Sequence, residues 1–388
     1  MKLTPIMLMA AGLIAQALGT RGDALTVQTI LNTLTPSDYF DLANQPTSES
    51  EYLLASILPE ELRATYEAKT GSLKVITTPA GETGMDSPYV PVGGLELNAF
   101  SKPIAKWTAQ SVMTEEAQRD LQQMVINIRA GVITGNGLDY VRTFVVNWLR
   151  KVIAQSFTDR HELMRGEVLT TGQLALRGGT IDYEIPTANK LTARTGNDGY
   201  GGSTSKFWQD MRASDTRLRA VRARVMSMNT LNMIIDNPQN NIAVTSETVS
   251  TEGNIRIVQI RKLVNNGQNF SQDARDGYTL VGYARTVKLR LPGGGYADQQ
   301  ALPDGKVSII GAATVQLTAL DGTIVTRPGL GRVHVGPTVE GGGRPGVWLD
   351  AHTPQGRPYQ ATALGAANSL VVLDAPERLI IASTEMPS

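Results

Sequence analysis

The stretch Asp139–Thr171, DYVRTFVVNWLRKVIAQSFTDRHELMRGEVLTT, is the one whose reading decides the fold. Val141, Phe144, Val145, Trp148, Leu149, Val152, Ile153 and Phe157 fall at i, i+3, i+4, i+7, i+8, i+11, i+12 and i+16. That spacing is one apolar stripe along an α-helix. A helix of this length is a rod of roughly 50 Å at 1.5 Å per residue. Gly166 lies inside it and costs about 1 kcal/mol relative to alanine, so a bend or weak point is expected there. Gly172 sits where a helix C′ glycine belongs.

Outward from this helix the pattern changes on both sides. Upstream, Thr114 followed by Glu115 and Glu116 reads as an N-cap with acid in the first turn of an earlier helix. Before it, Leu73–Thr78 and Leu95–Trp107 read as the two strands of a long hairpin, the second interrupted by Pro103. The tip between them is rich in Gly and Pro, and the hairpin has too few apolar residues for a core of its own. Pro59-Glu60-Glu61-Leu62 reads as the start of a short helix. Downstream of Gly172, two short strands are expected around Gly178-Gly179, then a polar Gly-rich connection to Ser205. Lys206–Met228 reads as a helix carrying Arg212, Arg217, Arg219, Arg222 and Arg224. Beyond it, strands are expected at 255–263, 279–291, 306–311, 315–320, 323–326 and 378–383, with Asp321-Gly322 as a hairpin turn.

Chemistry is sparse in this sequence. The 388 residues contain no cysteine, which excludes disulfides, thiolate metal sites and cysteine nucleophiles. Lys+Arg and Asp+Glu both number 36, so the chain is no strongly basic nucleic-acid binder. Hydrophobic residues are 41% and charged residues 19%, which fits a folded chain and not a disordered tail. Gly196–Lys206 has no Gly-Lys pair and reads as a loop, not a phosphate cradle. The three histidines have no metal-ligand spacing. His161, beside Arg160 and Glu162, reads as a solvated or intersubunit residue, and His334 and His352 as surface or interface residues. The Arg-rich segment at 212–224 reads first as a solvated face, with intersubunit contact or nucleic-acid contact as its alternatives. No catalytic, cofactor-binding or metal-binding residue is assigned.

Residues 3–18, LTPIMLMAAGLIAQAL, are apolar but short for a membrane span. Ala15-Gln16-Ala17 is similar to a signal-peptidase site. The reading taken here is an arm, residues 1–35, that crosses to another subunit. The alternative is a secreted or periplasmic β-rich binding protein with residues 1–17 as signal peptide.

Several local stretches carry a family resemblance. Thr158–Gly172 resembles the end of the spine helix in the major capsid proteins of tailed double-stranded DNA bacteriophages, of the lambda-type major head protein family. Gly179–Pro186 resembles that family's next strand, Leu302-Pro303-Asp304-Gly305-Lys306-Val307 its Pro-Asp-Gly-Lys strand start, and Pro376–Ile381 its closing strand. Glu184 departs from the pattern, standing where the family often has a small residue. The order of parts is similar over nearly the whole chain.

The resemblance implies an α+β chain with the Hong Kong 97-type fold. Its expected parts are an N-terminal arm (1–70), an extended (E) loop (71–113), a peripheral (P) domain (114–205 and 335–388, spine helix about 139–171) and an inserted axial (A) domain (206–334). It implies a non-enzymatic, self-assembling viral structural protein of the Caudoviricetes, forming hexamers and pentamers of an icosahedral shell. It implies no cofactor and no membrane. The partners implied are other copies of the chain, packaged double-stranded DNA by non-specific contact, and a portal, scaffolding or decoration (cement) protein. The place implied is the virion, assembled in the host cytoplasm.

Overall fold

In a computed structural model, the described residues are 27–44, 51–76, 94–132, 137–264, 269–270, 277–290, 294–318, 323–353 and 360–386. The apolar run 3–18, the hairpin tip at 77–93 and the Asp321-Gly322 turn lie outside them.

The described residues open with two short helices, α1 (Val27–Leu31) and α2 (Pro36–Ala43). Pro36 does not simply end the first: it stands at the start of the second, where a missing N–H costs nothing. Thr35 caps α2, its side chain accepting from the Asp38 N–H while the Asp38 carboxylate accepts from the Thr35 N–H. Strand β1 (Glu60–Leu62) replaces the expected short helix. It is held parallel to a distant strand, β17 (Gly331–Gly336), with Val333 N–H donating to Pro59 at 2.8 Å and Arg63 N–H to Val335 at 3.0 Å. These partners lie 270 residues away, beyond the reach of any local reading.

Strands β2 (Glu67–Ile76) and β3 (Gly94–Pro103) form the expected antiparallel hairpin in unbroken register from Glu67↔Pro103 to Ile76↔Gly94. Strand β4 (Ala105–Met113) follows at once, so Pro103 does divide the returning run. Thr114 caps α3 (Glu115–Arg129) as its sequence implies. The decisive helix is then α4 (Gly137–Trp148), a π-helical turn (Leu149–Ala154) and α5 (Gln155–Thr171). The wide turn is visible in the Gln155 N–H, which reaches back five residues to Arg150. Gly172 takes a φ of +72°, the left-handed end expected of it.

Beyond it come β5 (Gln173–Leu176) and β6 (Gly179–Asp182), paired as a hairpin. The expected helix 206–228 is a correction. Helix α6 (Phe207–Leu218) stops at Arg219, whose φ of +59° cannot continue a helix, and β7 (Val221–Ser227) and α7 (Met228–Asp236) follow. Val221 and Val225 belong to a strand once sheet neighbours exist on both sides. The remaining strands are β8 (Ile242–Val249), β9 (Ile255–Val264), β10 (Asn269–Phe270), β11 (Gly277–Tyr283), β12 (Thr286–Arg290), β13 (Tyr296–Gln300), β14 (Lys306–Gly311), β15 (Thr314–Thr318) and β16 (Ile324–Pro328). After β17 come β18 (Trp348–His352), β19 (Ala361–Leu373) and β20 (Leu379–Ser383). The single strand expected at 279–291 is divided by Ala284 and Arg285.

The chain forms two compact units. The first contains residues up to 45, 106–158 and 338–367. Its core joins Val27, Ile30 and Leu31 of α1 to the helix stripe and to Leu349, Ala351 and Ala363 of β18 and β19. The helix buries a narrower line than the sequence suggests: Val141, Val145, Leu149, Ile153 and Phe157 are buried, whereas Phe144 and Val152 are 39% and 48% exposed. Trp148 is half-buried at the edge, its Nε1–H donating to Ser111 Oγ on β4 at 3.0 Å. Within this unit β18 pairs antiparallel with the first half of β19, from Trp348↔Ala366 to His352↔Thr362.

The second unit contains residues 46–105, 159–337 and 368–388. Its main sheet runs β10-β9-β11-β7-β14-β20, with β8 also on β9. Phe207, Met211, Leu231, Val258, Leu280 and Ile309 form the centre of its core. The second half of β19 pairs there with β17, from Gly331↔Leu373 to Gly336↔Asn368.

Gly166 is not a bend. A Cβ at that position would lie 1.8 Å from the Ala301 carbonyl oxygen, so the glycine lets α5 and the 301 segment touch backbone to backbone. Gly178, by contrast, has open space around it. Gly166→Ala should therefore cost about 1–3 kcal/mol or more through overpacking, and Gly178→Ala about 1 kcal/mol or less in either direction. Melting temperatures of the two variants measure the contrast. Equal values would mean that the helix does not touch the 301 segment.

Candidate assembly interface and the charge network behind it

A buried charge network on α5 fixes the second unit. Glu162 and Arg165 are both fully buried, 3.2 Å apart one helical turn from each other. A buried ion pair is costly unless the remaining donors and acceptors are also satisfied. Here they are. Glu162 Oε1 accepts from the Leu54 N–H at 3.0 Å and from the Tyr283 hydroxyl at 2.7 Å. Arg165 donates from Nε to the Leu58 carbonyl at 2.8 Å and from a terminal nitrogen to Glu60 at 3.1 Å. His161 lies 2.8 Å from the same Glu60 oxygen, and its other ring nitrogen lies 2.9 Å from Ser369 Oγ on β19. At the start of α5, Asp159 accepts from Tyr52 at 2.9 Å and from Arg285 at 2.6 Å, and the Arg285 guanidinium stacks on the Tyr52 ring at 4.5 Å.

Electrostatics follow from this packing. The dense packing around its carboxylate opposes the charged form of Glu60, although its side chain keeps 33% of its surface open to solvent, and the nearby His161 ring and Arg165 guanidinium outweigh that and bring its pKa down to about 2. Burial, with Glu162 beside it, pushes the Tyr283 hydroxyl far up.

The histidine expectations are corrected by the same geometry. His161 is 1% exposed and belongs to the network, not to a solvated or intersubunit face. His334 is also 1% exposed, its Nε2 3.1 Å from the Thr65 carbonyl, and burial lowers its pKa. Only His352 is exposed. The arginines of 212–224 are not brought together. Arg217 lies in the last turn of α6 and Arg219 is its positive-φ cap, while Arg224 is buried on β7, paired with Asp215 and lying 4.1 Å over the Tyr278 ring. Sequence spacing does hint at the network: Asp159, Glu162 and Arg165 recur every three residues, one face of the helix. Nothing local says that this face is inside.

Several large apolar side chains also remain outward. In the first unit Ile126, Tyr140, Phe144 and Val152 are exposed on α3, α4 and the π turn, Val152 being 48% exposed. In the second unit Val244, Val249 and Ile257 stand out on β8 and β9, with Tyr296 and Ile324 on the two-stranded ribbons β12–β13 and β15–β16. Among the described residues no helix is long and apolar enough to cross a membrane, and no group of three or more His, Asp or Glu could hold a metal ion.

Comparison with solved structures places this architecture. The chain is similar to a protein assigned as the capsid protein of a prophage of E. coli CFT073, with a TM-score of 0.53 at 11% identity over 91% of this chain and 99% of that one. The fold is the Hong Kong 97-type capsid fold. A phage-related protein of Bordetella bronchiseptica RB50 aligns with TM-score 0.48 at 11% identity, over 89% of this chain and 95% of that one. The virus-like particle of Pyrococcus furiosus aligns with TM-score 0.39 at 12% identity, over 89% and 97%. No family model and no curated protein matches the sequence. The same fold is thus reached by very different sequences, which is possible because many apolar combinations fill the same core.

The pKa of Glu60 gives a pH test. A carboxylate lowered on folding contributes stability that is present above its unfolded value and lost as pH falls through the folded one. The stability advantage of the wild-type chain over Glu60→Gln should shrink as pH falls from about 5 to about 2. Urea unfolding at stepped pH measures it. A gap independent of pH across that window would exclude the Glu60–His161–Arg165 contact.

Proposed function

We propose that the chain is the major capsid subunit of a tailed double-stranded DNA phage, assembling into pentamers and hexamers of an icosahedral shell around the genome. The observation that carries this reading is the capsid fold itself, aligned over 91% of this chain and 99% of the prophage protein. The outward apolar side chains on both units support it. A soluble monomer seldom leaves such patches open, whereas an assembling subunit needs them. The β2–β3 hairpin supports it as well, since a two-stranded ribbon of this length is marginal alone in water.

In this reading the subunit is structural and has no catalytic role. The division expected from the resemblance is part of the proposal: arm 1–70, extended loop 71–113, peripheral domain 114–205 with 335–388, and axial domain 206–334. Other copies are the main partners, and packaged DNA is met by non-specific electrostatics. A balance of 36 basic and 36 acidic residues suits a subunit packed against many copies of itself. A portal, scaffolding or decoration protein would complete the particle, with assembly in the host cytoplasm and the virion as destination.

Negative-stain electron microscopy of the purified protein should show closed, uniform particles. Replacing residues 77–93 by a two-residue turn should leave a folded subunit of near-normal melting temperature that no longer closes shells. Dispersed monomers from the unaltered chain under all assembly conditions would overturn the capsid reading. Intact particles from the shortened one would remove the hairpin from it.

A further inference from the structure

An open cleft of about 590 Å³ lies in the first unit, between α1–α2 and the 340–351 segment. Its walls include Leu31, Leu34, Tyr39, Phe40 and Trp348, of which Leu34, Phe40 and Trp348 are only half-buried. The charged groups around it are already engaged. Glu340 pairs with Lys106, Arg344 lies 3.5 Å over the Phe40 ring, and Asp350 lies 3.6 Å from His352. The cleft therefore offers an ionic ligand little and an apolar one a good deal. Its volume is within the range of about 300–1,000 Å³ that holds a small ligand or several apolar side chains.

The chain itself carries a matching occupant. We infer that residues 6–18, IMLMAAGLIAQAL, dock in this cleft of their own subunit, in place of the crossing to another subunit that the sequence alone suggests for the arm. Leu31 of the wall is four residues along α1 from Val27, about 6 Å at helical rise. Residues 19–26 are eight residues that span at most about 26–29 Å when extended, so the run can reach the cleft without strain. A tether this short gives an effective concentration in the millimolar range, which favours the chain's own segment over a free one. Docking also removes from water an apolar run that carries no charge from Leu3 to Thr20. The cleft is then a seat for the N-terminal segment and not a small-molecule site. The inference does not depend on shell formation.

The absence of native cysteine allows a clean test in the full chain. Ser37→Cys, at an exposed position on the cleft wall, is combined in turn with Thr4→Cys, Ala10→Cys and Gln16→Cys. Thr251→Cys, exposed in the second unit, replaces Ser37→Cys in the controls. Under mild oxidation at least one Ser37→Cys pair should form an intramolecular disulfide tenfold faster than its control. Adding Leu13→Asp and Ile14→Asp should abolish that advantage. Disulfide-linked dimers and ladders would assign the cleft to another copy's segment and overturn docking within the subunit. Rates equal to the controls for all three pairs would overturn docking altogether. Because the readout is made on the subunit, it can fail while shells form, and succeed while they do not.

Discussion

Arg165 is a guanidinium with no access to water, and the second unit is arranged around that fact. Its Nε is satisfied by the Leu58 carbonyl, and its terminal nitrogens by Glu162 and Glu60. Each partner is anchored in turn: Glu162 by Leu54 and Tyr283, Glu60 by His161, and His161 by Ser369. Removing Glu162 or Arg165 strands the charge of the other out of water, which is far more costly than the net worth of the intact pair. The network thus does little for stability in total. What it supplies is specificity, since the 52–60 segment, β11 and β19 each bring a polar partner to α5.

The same helix behaves differently toward its start. From Val141 to Phe157 it contributes a line of apolar side chains to the first unit, spaced mostly four residues apart. Beside that line, Tyr140, Phe144 and Val152 stay exposed. A helix in a finished monomer would place charge there. Leaving apolar groups outward lowers the solubility of the free chain, a cost that the proposed shell assembly would offset by burying them.

Burial of ionisable groups in this chain has consequences for how it meets acid. Glu60 is held ionised to about pH 2 by the Arg165 guanidinium and His161 ring beside it, whereas burial lowers the pKa of His334. Both keep their roles across neutral pH: one as the acceptor in a charged network, the other as a ring packed beside Thr65.

Much of the fold was legible in the residues. The period of the 139–171 helix, the Thr114 cap, Gly172 and the paired strands at 173–182 all rest on interactions within a few residues of each other, and such interactions are written locally. The 206–228 segment was misread because Arg and Ala favour helix, and only the neighbours β11 and β14 make β7 a strand. Strand β1 was misread for the same reason, its partner lying 270 residues on. Gly166 looked like a weakness and is a contact. His161 beside Arg160 and Glu162 reads as a solvated or intersubunit face because His, Glu and Arg usually lie outside the core. The sequence by itself determined which segments have helical or strand periodicity and that no cysteine chemistry is present. Only the tertiary structure decided which helix face is inside, because burial depends on what long-range packing brings against a residue and not on the residue alone.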